Sequence, residues 1–183
     1  MKKIGIDIDN VIADTTEILI KELNKTFKTK LTYKDIYMYD FEPILGISKT
    51  EAKPFFIKLF KKKALMKCPL MKGAREALIK LKGKYKIYIV TSRFKEYEKD
   101  TIAWLKKMKI PYDHVEHVTE KQKHLYATKK GIKVFVEDDL EQAIYMIESG
   151  IKVFLFDHPW NRCKDVKMRL KRVKGWRELS LLI

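Results

Sequence analysis

The first dozen residues bring two carboxylates to a turn. Lys3-Ile4-Gly5-Ile6-Asp7-Ile8-Asp9-Asn10-Val11 is an apolar run that stops on Asp7 and Asp9. Side chains alternate along a strand, so the two acids share one side while Ile6 and Ile8 share the other. Ile4 to Ile6 reads as a strand buried on both faces, the kind found at the centre of a parallel sheet. Helical spacing follows from Val11 to Phe27. The acids therefore sit at a strand's carboxyl end, the edge where open α/β sheets bind ligands. Two acids there can hold a hard divalent cation, and one can act as a nucleophile. Taken alone, the same Asp-x-Asp also fits a loop or a helix N-cap.

Other strand ends carry equally useful residues. Tyr85 to Val90 reads as a strand ending in Thr91-Ser92-Arg93, and Lys133 to Val136 as one ending in Glu137-Asp138-Asp139. In a parallel sheet all of these tips gather at one edge. Carboxylates from two strands make a site for Mg²⁺, which prefers oxygen ligands and keeps several waters. A hydroxyl and backbone N–H groups at a strand-to-helix turn suit a phosphate. A lysine from the helix over 121–130 would supply the positive charge that phosphoryl transfer needs. Helix capping explains any one of these residues but not the whole set.

The elements that must position these tips alternate regularly. A helix is expected over 12–28, with Ile12, Ile18, Leu19, Leu23 and Phe27 inward. An irregular stretch from Leu31 to Gly46 is rich in aromatics. Thr32-x-x-Asp35 and Ser48-x-x-Glu51 look like capping boxes that open short helices, the second interrupted or delayed by Pro54. From Gly73 onward, helices over 74–81, 95–107, 121–130 and 140–149 alternate with strands over 85–90, 114–118, 133–136 and 151–156. Five strands and their helices argue for a three-layer parallel α/β sheet with right-handed crossovers. A short strand and helix near Trp176 pack the edge, and Trp104 and Trp176 join the core.

Composition narrows the setting. The 183 residues suit one domain with a modest insertion, and 46% hydrophobic content supplies a core. No run is long and apolar enough to span a membrane, and no signal-peptide pattern opens the chain, so a soluble, cytoplasmic protein is expected. Cys68 and Cys163 lack metal-ligand spacing and read as reduced thiols. The net charge is +16, but only six of the 40 basic residues are Arg. Lys beside Glu, as in Lys95-Glu96-Tyr97-Glu98-Lys99, suits surface ion pairs and a field that draws in anionic substrates. Nucleic-acid binding is the secondary reading of that charge.

Asp7-Ile8-Asp9-Asn10-Val11, Val90-Thr91-Ser92, a downstream Lys and Val136-Glu137-Asp138 resemble the four ordered motifs of the haloacid-dehalogenase-like hydrolases. Ile6-Asp7-Ile8-Asp9-Asn10-Val11-Ile12-Ala13-Asp14, Thr91-Ser92-Arg93 and Phe156-Asp157-His158-Pro159-Trp160-Asn161 are similar to the 5'-nucleotidase branch of cytosolic deoxyribonucleotidase type. The resemblance implies a Rossmann-like core over 1–14 and 70–183 and a small helical cap over 15–69. It implies that Asp7 attacks phosphorus to form an aspartyl phosphate, and that Asp9 protonates the leaving oxygen and then activates water. Mg²⁺ would be held by Asp7, the Asp9 backbone carbonyl and Asp138, with Glu137 acting through water and Asp139 as a helix N-cap. Thr91, Ser92 and Lys123 would bind phosphate, with Lys121 the competitor for the lysine. Asn10 stands where many relatives have Gly, and Asn tolerates positive φ.

Substrate selection is expected from Tyr37, Tyr39, Asp40 and Phe41 of the cap by stacking on a base, and from Trp160 and Asn161 of the late loop. Arg93 touches substrate or sits on the surface. His117 has no visible partner and reads as structural. The expected activity is Mg²⁺-dependent hydrolysis of nucleoside 5'-monophosphates, deoxynucleotides among them, by a monomer or dimer. The rivals are a phosphatase of sugar phosphates or nucleic-acid ends, and a non-catalytic nucleic-acid-binding protein of the same fold.

Overall fold

The computed structural model describes residues 1–61, 63–162 and 170–183, apart from the side chains of residues 60 and 61. Six parallel strands form one sheet: β1 (Lys2–Ile6), β2 (Tyr85–Thr91), β3 (His114–His117), β4 (Val134–Glu137), β5 (Lys152–Phe156) and β6 (Leu170–Val173), in the order β3-β2-β1-β4-β5-β6. The sixth strand is the short edge strand expected in the tail, and Cys163 lies outside the described residues. β1 is central. The chain winds outward from it in one direction through β2 and β3, then resumes on its other flank with β4. That reversal opens a crevice at the carboxyl ends of β1 and β4.

Register fixes what enters the crevice. Ile6 pairs with Val136, and Asp7 N–H donates to the Val136 carbonyl at 3.0 Å, so Asp7 comes to rest beside Glu137 and Asp138. Gly5 lets β1 lie close to its surroundings, because a Cβ there would stand 2.2 Å from the Phe135 ring.

The helices are α1 (Thr15–Phe27), α2 (Glu42–Leu45), α3 (Lys49–Lys61), α4 (Ala74–Lys82), α5 (Glu98–Lys107), α6 (Glu120–Lys129), α7 (Leu140–Glu148) and α8 (Trp176–Leu179). α1 starts later than its apolar spacing suggests. The carbonyl of Ile8 accepts from the N–H groups of Val11, Ile12 and Ala13, which folds that stretch into a tight turn. Asp14 then caps the helix by accepting from Glu17 N–H at 3.1 Å. Ile12 is accordingly a core residue of the turn, not of the helix face. Pro54 neither delays nor ends α3, which runs from Lys49 through it. Pro54 and Thr50 both lie on the exposed side, where water can serve the carbonyl that the proline leaves unbonded. Both capping boxes form, Thr32 with Asp35 and Ser48 with Glu51.

Two apolar layers cover the sheet, one around Ile4, Ile6, Leu78, Trp104 and Trp176, the other around Phe135, Met146 and Leu155. A third, smaller cluster of Leu23, Phe55, Leu59 and Ala64 holds α1, α3 and the turn over 64–67 together above the crevice. Ile18 touches both this cluster and the first layer. Trp176 and Trp104 are core residues whose ring N–H groups donate to the carbonyls of Val11 and Cys68. Among the described residues, no helix is long and apolar enough to cross a membrane.

Candidate active site

The crevice is a cavity of about 220 Å³ whose floor is charged and whose far wall is apolar. Asp7, Asp9, Ser92, Arg93, Lys123, Glu137 and Asp139 line the floor. Leu19, Ile36, Met38, Tyr39, Phe41, Phe56 and Leu59 line the wall, and Trp160, Phe94 and Gln142 are among the other lining residues.

Lys123 ties the floor together. It is 2% exposed, and its ammonium lies 2.7 Å from Asp7 Oδ1 and 3.1 and 3.0 Å from the two Glu137 oxygens. Three hydrogens meet three acceptors, so the buried cation is satisfied. Burial works to lower its pKa, but Asp7 and Glu137 outweigh burial and hold it above the ordinary lysine value. Lys121 is exposed, so Lys123 is the lysine in the site.

Asp138 is fully buried. Its Oδ2 accepts from Trp160 Nε1 at 3.1 Å and Asn10 Nδ2 at 3.3 Å, while its Oδ1 has no partner among the described residues. Burial and then the charge of Asp7 push its carboxyl well above the usual range. Glu137 is raised in the same sense, by burial first, and Asp7 also, by burial against the pull of Lys123. Crowded, desolvated carboxylates of this kind want a cation. One oxygen from each of Asp7, Glu137 and Asp138 lies within 4.8 Å of the others. The all-carboxylate donor set and the unpartnered Asp138 oxygen both fit Mg²⁺.

Asp9 stands apart from that cluster. Arg93 donates to both of its oxygens, Nε to Oδ2 at 2.9 Å and Nη2 to Oδ1 at 2.7 Å, and Thr15 Oγ1 also donates to Oδ1. Burial works to raise the Asp9 carboxyl, but the Arg93 guanidinium outweighs it and the net direction is downward. Arg93 is therefore neither a surface charge nor, here, aimed at substrate. Its side chain is 5% exposed and engaged with Asp9.

The remaining sequence candidates divide. Ser92 lines the cavity with a buried Oγ that has no partner among the described residues, whereas Thr91 is wholly buried behind it, its Oγ1 accepting from Arg93 N–H at 3.2 Å. Tyr39 and Phe41 line the cavity, but Tyr37 and Asp40 do not; Tyr37 is exposed, and Asp40 faces Lys49 at 3.8 Å on the surface. Asn161 is a bracket, not a lining residue. Its amide donates to the carbonyls of Asp138 and Phe156, and its oxygen accepts from Arg172. Asp139 caps α7 by accepting from Glu141 and Gln142 N–H. Asn10 adopts φ 57°, and its Oδ1 accepts from Thr16 N–H and Oγ1.

Sequence reasoning passed over Thr15, Gln142 and His158. Thr15 bonds Asp9, and Gln142 lines the cavity with a buried Oε1 that has no partner among the described residues. His158 stacks on Trp160 with centroids 4.4 Å apart, faces Tyr33 OH through Nδ1 and donates from Nε2 to the Asn10 carbonyl at 2.9 Å. Its place in the Phe156–Asn161 stretch was the available signal.

All 183 residues match a family profile described as 5' nucleotidase, deoxy (pyrimidine), cytosolic type C protein. A nucleotidase of Clostridium acetobutylicum is 31% identical over 176 residues, covering 96% of this chain and 90% of that protein. A 5'(3')-deoxyribonucleotidase of Bacillus subtilis is 27% identical over 187 residues, covering 98% of each. Among solved structures, a haloacid dehalogenase-like hydrolase of Streptococcus pneumoniae superposes with a TM-score of 0.75 at 17% identity, covering 100% of this chain and 99% of that one.

Proposed function

The chain belongs to the cytosolic type C family of 5' nucleotidases and is a phosphoric monoester hydrolase; from that premise we propose that it hydrolyses nucleoside 5'-monophosphates, deoxynucleotides among them, through an aspartyl phosphate on Asp7. The observation that carries this reading is Asp7 held at 2.7 Å by a buried lysine on the floor of a cavity whose far wall is apolar and aromatic. The salt bridge restrains the Asp7 carboxylate, and Lys123 offsets the charge of an incoming phosphoryl group. Ser92 Oγ, on the cavity lining and without a partner among the described residues, can donate to a phosphoryl oxygen. Asp9, two residues on from the nucleophile, gives a proton to the leaving oxygen and later takes one from water. Tyr39, Phe41 and Trp160 offer ring faces to a base.

Mg²⁺ would be held by the carboxylates of Asp7 and Asp138 and the Asp9 carbonyl, with Glu137 reaching it through water. When bound it neutralises charge on the phosphoryl oxygens. The helices over 15–69 form the cap that encloses the substrate, and a cytoplasmic setting suits the free thiol of Cys68. Turnover of deoxynucleoside and nucleoside 5'-monophosphates, sugar phosphates and 3'-phosphorylated oligonucleotides, assayed side by side with and without Mg²⁺, tests the proposal. Nucleotides should be preferred, and Asp7→Asn should abolish every activity. Preference for sugar phosphates, or turnover surviving Asp7→Asn, would overturn it.

A further inference from the structure

Hydrogen bonds nearly saturate the Asp9 carboxylate. Oδ1 accepts from Thr15 Oγ1 and from Arg93 Nη2, and Oδ2 accepts from Arg93 Nε. Each carboxylate oxygen has two in-plane lone pairs, so the four acceptor sites reduce to one, on Oδ2. Arg93 is itself fixed from several sides. Its N–H donates to Thr91 Oγ1, its carbonyl accepts from His117 Nδ1–H at 2.9 Å, and its guanidinium carbon lies 5.8 Å from the Trp104 ring centroid.

We propose that Arg93 is the positioning residue of Asp9: its fork takes one lone pair on each oxygen and, with Thr15 on the second lone pair of Oδ1, leaves Oδ2 as the single oxygen that carries the proton exchanged in the reaction. This rests on Asp9 serving as acid and base. In ester cleavage an Asp7 oxygen forms its bond to phosphorus while the bond to the bridging oxygen breaks, the bonding pair stays on the bridging oxygen, and the Oδ2 hydrogen passes to it. In hydrolysis of the aspartyl phosphate, water oxygen attacks phosphorus and the bonding pair returns to Asp7. Oδ2 takes the water proton, which restores Asp9 for the next turnover. A lysine has the charge but not the planar fork, so it cannot fix both oxygens.

The test compares leaving groups in single-turnover cleavage, which excludes the later hydrolysis step. A nucleoside 5'-monophosphate releases an alkoxide that needs the proton, whereas p-nitrophenyl phosphate releases a phenolate that leaves without it. Arg93→Met and Arg93→Lys should each slow cleavage of the nucleotide by about 10²-fold and of the aryl ester by less than about five-fold. Asp9→Asn is the reference. If Asp9→Asn slows both esters alike, the acid role of Asp9 fails, and this proposal with it. If Asp9→Asn is selective but the Arg93 variants slow both esters alike, or slow neither, Arg93 only packs and the proposal is overturned. Should Arg93→Met not fold, Arg93→Lys decides alone: the selective loss upholds the fork, and full activity on both esters refutes it.

Discussion

Trp160 donates its indole N–H to Asp138 Oδ2 at 3.1 Å, so a residue of the late loop orients a carboxylate at the end of β4. The contact spans 22 residues of sequence and leaves Asp138 Oδ1 directed elsewhere, without a partner among the described residues. Trp160→Phe keeps a ring to stack on His158 and removes the donor together with part of the ring area. Partners of metal-ligating groups that are lost in this way cost 10- to 100-fold in metal affinity. The expected outcome is an apparent Mg²⁺ affinity weakened by about ten-fold, with kcat at saturating Mg²⁺ changed by less than about three-fold. A titration of rate against Mg²⁺ checks it, and an unchanged midpoint would show that the indole does nothing for Asp138.

Lys123 holds Asp7 and Glu137 where their side chains have little solvent exposure, its own 3% exposed against 6% and 1% for theirs. Removing one partner of a buried ion pair strands the other charges, at a cost of about 3–5 kcal/mol. Lys123→Met should therefore lose both turnover and about 3 kcal/mol of stability in urea unfolding, while Lys121→Met, on the exposed face, stays within about 0.5 kcal/mol. A Lys123→Met protein as stable as the parent would mean that the carboxylates are neutral without the cation.

Gly5 is a packing requirement of the strand that delivers Asp7. A methyl group added there would meet two Phe135 ring carbons at 2.2 Å, inside any allowed contact. Overpacking of a core costs about 1–3 kcal/mol. Gly5→Ala should fall in that range, and Gly5→Ala combined with Phe135→Leu should recover part of the loss. Because the two residues touch, a double-mutant cycle should give a coupling of at least about 0.5 kcal/mol, whereas additive effects would mean that the ring simply moves aside.

What the sequence reveals about this site follows from range. Asp7, Asp9, Ser92, Glu137 and Asp138 are legible because strand alternation and the strand-to-helix handover are local patterns, and sheet topology then gathers the tips. Lys123 and Lys121 stay competitors in the sequence, where only the resemblance favours Lys123; burial separates them, Lys123 being 2% exposed and Lys121 exposed. The ion pair of Arg93 with Asp9 was not legible, since the partners lie 84 residues apart and nothing local marks an arginine as buried. The start of α1 departs from its apolar spacing for a different reason. Three N–H groups converge on the Ile8 carbonyl in a turn whose apolar residues mimic helical spacing. Tyr37, Tyr39, Asp40 and Phe41 could not be separated by composition, because which of them turns inward depends on irregular backbone.

His158 joins Tyr33 to the turn after β1 and gives the fold a pH dependence. Its Nε2–H donates to the Asn10 carbonyl, so in the neutral imidazole Nδ1 is the acceptor for the Tyr33 hydroxyl. Burial lowers its pKa, and the Asn10 hydrogen bond and the charges of Asp14 and Asp157 offset this only in part. The unfolded chain, with histidine near 6.5, therefore takes up this proton before the folded protein does. The contribution of His158 to stability is complete above that value and is lost as pH falls below it. Protonation also puts a hydrogen on Nδ1, which forces Tyr33 to turn its hydroxyl. His158→Phe keeps the ring on Trp160 and cannot titrate. It should be less stable than the parent at pH 7.5, and the gap between their urea midpoints should narrow by pH 5.5. A gap that stays constant across that range would show that His158 binds its proton equally well folded and unfolded.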